Sequence, residues 1–155
     1  MADIDDTVDP DRLIIPAFAG IYRCFAPLSY SAMRFSAGAV LLPHGIQKVL
    51  FASVQGMSEN IAHHGLPLPL VLAYGTFFTE SVAAACLMLG LFTRIAAALI
   101  WVEMAVIITV FQWHFGYFWT GRGIEYALLL WLLCTAIFFR GGGRYSIDRL
   151  LGKEF

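Results

Sequence analysis

Residues 68–112 read LPLVLAYGTFFTESVAAACLMLGLFTRIAAALIWVEMAVIITVFQ, and this stretch decides the fold. It divides into two apolar runs, 68–92 and 93–112, hinged at the short turn Leu91 to Arg94. Each is long enough to cross a hydrocarbon core of about 30 Å as a helix, which takes about 20 residues. The short hinge makes them antiparallel neighbours. Inside them Glu80 and Glu103 each stand alone near the middle of an apolar run. A carboxylate at that depth costs several kcal/mol unless it is neutralised, paired or wetted, so both are candidate functional residues.

Working outward, Ala32 to Val54 forms a run before this pair and Gly123 to Phe139 one after it. Four spans are therefore expected, 32–54, 68–92, 93–112 and 123–139, linked by a loop over Ser58 to Leu70 and an aromatic stretch from Trp113 to Arg122. The fold class is all-α, an integral membrane up-down four-helix bundle with a short N-terminal interfacial segment. Composition agrees. The 155 residues are 59% hydrophobic and 14% charged, with a mean hydropathy of +0.73, against about 25% charged in soluble domains. The net charge of −1 argues against a nucleic-acid partner, which needs a basic stripe. The bilayer is the expected partner.

Arg12, Arg23 and Arg34 precede or open the first span, Arg94 lies in the hinge, and Arg140, Arg144, Arg149 and Lys153 follow the fourth. Only Lys48 and Arg122 lie at the other end, so the positive-inside rule places both termini in the cytoplasm of a bacterial inner-membrane protein. Trp113, Phe115, Tyr117, Phe118 and Trp119 then form an outer aromatic belt. Three parts follow: 1–31 as cytoplasmic tail and interfacial segment, 32–139 as membrane domain, 140–155 as cytoplasmic tail. The acidic tip, Asp3, Asp5, Asp6, Asp9 and Asp11, has no basic n-region and is read as a solvated tail rather than a signal peptide. Asp11 is a plausible N-cap for a short interfacial helix, the alternative being an irregular apolar lead-in.

The densest polar signal is LPHGIQK, Leu42 to Lys48. Pro43 cannot donate to the Ala39 carbonyl, so a kink and an open acceptor are expected there. His44 and Lys48, four apart, share a face with Gln47 beside them. Against the inward reading stands the bland one, in which Gln47 and Lys48 snorkel to water. Counted from the hinge, Glu80 and Glu103 lie at one level, differing by about 3 Å at 1.5 Å per residue. His44 sits slightly outward, with Lys48, His114 and Glu125 as an outer tier. Ala73, Thr76, Glu80, Ala83 and Ala84 share a small-residue side of the kind helices in lipid pack together, which turns Glu80 inward. Ala96, Ile100 and Glu103 share a face less specifically. The bland reading for each Glu is a protonated acid with one interhelical hydrogen bond. Cys24, Cys86 and Cys134 form no CxxC and no metal-ligand spacing.

An Arg opening the first span, HGIQK about ten residues on, ESVAAACLMLGLFTR with its mid-span Glu, a His after span three, a Glu opening span four and the terminal GGGRYSIDRLL together resemble the DoxX family of small four-span membrane proteins. The resemblance covers Arg34 to Leu151. It points to Arg34, His44, Gln47, Lys48, Glu80, Arg94, His114 and Glu125, with Glu103 outside the pattern. DoxD-like relatives associated with thiosulfate:quinone oxidoreduction imply a membrane redox component.

Two functions compete. In one, a redox-associated subunit holds a quinone in the outer half of the bundle: His44 or His114 hydrogen-bonds a quinone carbonyl, and Glu80 or Glu125 handles protons. Glu80 and His44 are then the catalytic candidates, and Arg34, Gln47, Lys48, Glu103, His114 and Glu125 join them as ligand-binding candidates. Electrons come from a soluble or membrane partner, because the chain carries no CxxCH, Gly-rich dinucleotide fingerprint or thiolate cluster. Haem is disfavoured by the unequal depths of His44 and His114. In the other, the chain is a non-catalytic anchor or assembly subunit. A transporter is disfavoured by the lack of an internal repeat.

Overall fold

The computed structural model describes residues 9–51 and 53–153. Asp3, Asp5 and Asp6 of the expected mobile tip lie outside them. The described chain is helical, with no strand among these residues. Helix α1 is Ala19–Phe51, α2 is Val54–His63, α3 is Pro69–Phe78 and α4 is Ala84–Leu89. Then come α5, Thr93–Val106, α6, Glu125–Arg140, and the short α7, Ile147–Leu150.

The two runs that decide the fold form the two helices that, among the described residues, are long and apolar enough to cross a membrane. Pro69–Leu89 joins α3 to α4, and Thr93–Phe115 extends α5. At 1.5 Å per residue they reach about 31 and 35 Å. Gly90, left-handed at φ 68°, and Phe92, at φ 47°, turn the chain between them. α1 passes the same test only when taken with α2, across an axis that turns by 111°. α6, with 16 residues, is shorter than either Pro69–Leu89 or Thr93–Phe115. α1 packs on α4 and the residues before it, α5 packs on the same segment and along α6, and α6 touches α1. The seams hold Ala37, Leu41, Ala84, Leu87, Ala97, Ile100, Ala127 and Leu130. Between α5 and α6, Trp101 and Trp131 stack at 5.0 Å, and the Trp101 Nε1 donates to the Thr135 hydroxyl (2.9 Å).

Four local expectations change. The N-terminal segment is not a separate helix capped by Asp11. Two 3-10 turns, Pro10–Arg12 and Pro16–Phe18, lead into α1, which runs unbroken past residue 31. Pro27 and Pro43 are both inside α1, which stays helical through them, and a turn of 111° follows Phe51. The loop expected from Ser58 contains most of α2. Its N-cap is Ser53, whose hydroxyl accepts from the Gly56 amide (2.9 Å), a signal hidden between two apolar runs. Finally, a π-helical turn, Thr79–Ala83, carries Glu80, and a second, Ile107–Gln112, ends α5. Such single turns are frequent at functional sites.

Candidate functional site

Gly45 sets the geometry at the centre. A Cβ there would lie 2.5 Å from the backbone carbon and oxygen of Glu80, so only glycine lets α1 approach the π-helical turn this closely. One turn further along α1, the Lys48 Nζ donates to Glu80 Oε1 at 2.6 Å. The side chains are 22% and 5% exposed, so Lys48 is drawn inward and does not snorkel to water. The expected small-residue side is realised, with Ala73, Glu80, Ala83 and Ala84 buried.

Glu103 on α5 is within electrostatic reach of Glu80 and Lys48, as the matched depths anticipate. Neither of its oxygens has a hydrogen-bond partner; it faces the Thr76 hydroxyl at a geometry short of a bond. Glu80 Oε2 is also buried and unpartnered. Three buried carboxylate oxygens, Glu80 Oε2 and both of Glu103, are thus without a hydrogen-bond partner, while the one nearby ammonium group is engaged with Glu80 Oε1. Groups so buried require a donor from outside the chain or a proton of their own.

Beside them opens a cavity of about 450 Å³ between α3, α5 and α2. Lys48, Thr76, Thr79 and Glu103 form its polar end, and Leu72, Leu99, Val102 and Phe111 are among its apolar walls. Met57, Asn60 and Ile61 of α2 also border it, and His64 at the end of α2 packs on Phe111, ring centres 4.5 Å apart.

His44 belongs elsewhere. It is exposed, its Nδ1 lies 3.2 Å from the Val40 carbonyl, and it borders a second cavity of about 520 Å³ with Gln112, Glu125 and Tyr126. Gln47 is exposed and borders neither cavity, and neither does His114, whose ring lies 4.0 Å from that of Phe115. Glu125 accepts from the Trp119 amide (3.1 Å). The single enclosure expected to join His44 and Glu80 with His114 or Glu125 is therefore divided. At 3.6 residues per turn His44 and Lys48 differ by about 40° around α1, and each borders a different cavity.

Arg34 is at the opposite end of the bundle. It is 2% exposed, Nη2 donates to the Tyr145 carbonyl (2.7 Å), and Nη1 is pressed where a side chain on Gly90 would begin. Beside it Asp148, 1% exposed, accepts from the amides of Phe92 (2.7 Å) and Thr93 (2.9 Å) and from the Thr93 hydroxyl (2.6 Å). Arg94 Nη1 donates to the carbonyls of Phe138 and Phe139 (2.7 and 3.0 Å), closing the end of α6. The Tyr30 hydroxyl reaches the Gly141 carbonyl (2.5 Å) under the guanidinium of Arg140. The terminal GGGRYSIDRLL is thus a clasp over the helix ends, and Arg34 and Arg94 belong to it. Sequence reasoning gave Asp148 no role; the signal it missed was Ser146, whose hydroxyl caps α7 by accepting from the Arg149 amide (3.2 Å).

Apolar helices of membrane-crossing length around a Lys48–Glu80–Glu103 cluster, Glu80 buried and the other two half-buried, define a helical membrane protein with an internal polar site. The DoxX family profile matches residues 30–113, more than half of the chain, and the chain belongs to that family. The matched region contains Gly45, Lys48, Glu80 and Glu103, whereas His114, Glu125 and Asp148 follow it. The chain is also 26% identical over 149 residues to an uncharacterized membrane protein of Mycobacterium tuberculosis, covering 90% of this chain and 91% of that one. No solved structure matches.

Proposed function

We propose that this DoxX protein is a redox-associated membrane subunit that binds a quinone-type ligand in the cavity between α2, α3 and α5. The observation that carries the reading is that cavity: apolar walls for a ring and its tail, bordered by Lys48 and Glu103, with Glu80 bonded to the Lys48 ammonium. Its volume suits a small ligand. Lys48 has N–H groups beyond the one given to Glu80 and would donate to a quinone carbonyl, the role first expected of His44 or His114. Glu103 would exchange protons with the ring oxygens, with Glu80 holding the ammonium in place. Reduction of a quinone consumes two electrons and two protons. The electrons would come from a partner protein, in keeping with the lack of a cofactor motif in the chain.

The same proposal takes α1, α3 with α4, α5 with its extension, and α6 as four antiparallel spans of the inner membrane, both termini cytoplasmic. The arginine-rich clasp at one end and the exposed aromatic residues at the other support it. Reporter fusions at Phe155 and at Glu59 are expected to report opposite sides; the same side for both would overturn the four-span arrangement.

For the ligand, protein purified in mild detergent and extracted into organic solvent is expected to release a molecule with quinone absorbance. Glu103→Gln keeps the Lys48–Glu80 pair, so it is expected to fold normally and bind about tenfold more weakly, the effect of one charged hydrogen bond. Glu80→Gln leaves Lys48 without its counter-charge and is expected to lower stability as well as binding. If wild-type protein releases no quinone and Glu103→Gln behaves as wild type in any redox phenotype, the anchor or assembly-subunit reading replaces this one.

A further inference from the structure

The second cavity, bordered by Val40 and His44 of α1, is independent of the quinone reading. It lies between α1 and α6, beneath the segment after Phe115, and its polar atoms are unevenly matched. Gln112 Oε1 and the Tyr126 hydroxyl are buried and have no partner. Glu125 holds the Trp119 amide with one oxygen. The His44 ring lies over that of Tyr126, centres 6.0 Å apart at 29°. Its Nδ1 faces the Val40 carbonyl, which accepts only, so Nδ1 carries a proton. The cationic lining residue is Arg122, held in a left-handed conformation at φ 66°.

An occupant that satisfies this wall has N–H donors and positive charge for Glu125, Gln112, Tyr126 and the aromatic faces of Trp119 and Tyr126, and negative charge for Arg122. A primary ammonium joined by a short linker to a phosphate has that chemistry. Two sources exist, a phospholipid head group or a free zwitterion. Val40 and Leu129, also lining the cavity, are 47% and 57% exposed on the outer face of their helices, a path on which acyl chains can lie. Trp119 is exposed among the aromatic residues that prefer the head-group level. We propose that this cavity is a specific site for the aminoethyl-phosphate head group of a phospholipid, phosphate on Arg122 and ammonium among Glu125, Gln112 and Tyr126.

The test uses the full chain in nanodiscs containing equal parts of phosphatidylethanolamine, phosphatidylcholine and phosphatidylglycerol, with native mass spectrometry of the lipid retained after release. Phosphatidylethanolamine is expected to be retained about tenfold over the other two, because the choline head has no N–H and the glycerol head no cation. Tyr126→Phe, which deletes one hydroxyl, and Glu125→Gln are each expected to remove most of that preference, while Glu59→Gln on the exposed part of α2 leaves it intact. If Glu125→Gln fails to fold, Tyr126→Phe carries the test alone. Equal retention of the three lipids, or unchanged preference in Tyr126→Phe, overturns the proposal. Displacement of the lipid by soluble phosphoethanolamine would assign the site to a free zwitterion and overturn the lipid assignment.

Discussion

Asp148→Ala is expected to be the most damaging single change outside the membrane-crossing helices, lowering stability by about 3–5 kcal/mol, the usual result of removing one partner from a buried charged cluster. The carboxylate takes three hydrogen bonds from residues 92 and 93, where α5 begins and its first amides have no partner within the helix. It is also the counter-charge within electrostatic reach of Arg34, which is buried with its Nε and Nη1 unpartnered. Its loss leaves the start of α5 uncapped and a guanidinium buried without compensation. Thermal unfolding of the solubilised protein should show a midpoint lower by on the order of 10 °C. Asp148→Asn, which keeps one acceptor oxygen, should recover part of it. An unchanged midpoint in Asp148→Ala would show that the clasp does not hold the helix ends.

Gly45→Ala is the second large effect. The added methyl meets the backbone of Glu80, which cannot rotate away as a side chain would, so α1 and the π-helical turn must separate. Overpacking of this kind costs about 1–3 kcal/mol. The separation also pulls Lys48 from Glu80, so the variant should lose ligand as well as stability. Gly20→Ala, on the same helix with nothing within 4 Å of the new methyl, is the control and should be neutral or slightly stabilising, since alanine favours the helix. Equal melting of the two variants would show that the close approach at Gly45 is not tight.

Both predictions rest on facts that the sequence holds unequally. Glu80, Glu103 and Lys48 were legible as polar residues out of place, because an apolar run makes any charge within it conspicuous. The common level of the two carboxylates followed from counting residues away from one short turn, with Lys48 read as one tier further out. Their pairing did not follow. Whether Lys48 bonds Glu80 or extends to water depends on how closely α1 approaches the π-helical turn, and that depends on a glycine whose significance is invisible until its neighbour is known. In the same way the HGIQK motif reads as one polar stripe, yet its His44 and Lys48 border different cavities, because different helices pack beside each end of the motif. Arg34 is the reverse case. It matches the family pattern beside the candidate ligand residues, and packing places it at the far end against Tyr145 and Gly90.

By itself the sequence determined the helical class, the two helices that can cross a membrane, the DoxX resemblance and the presence of buried acids, since all of these depend on local hydropathy, turn residues and spacing along the chain. Tertiary structure alone decided which acid meets Lys48, the division into two cavities, the role of Asp148 and the helical state of the segment after Ser53. Each of these is a contact between residues far apart in the chain, and such contacts depend on how closely and at what angle two helices pack rather than on the composition of either one.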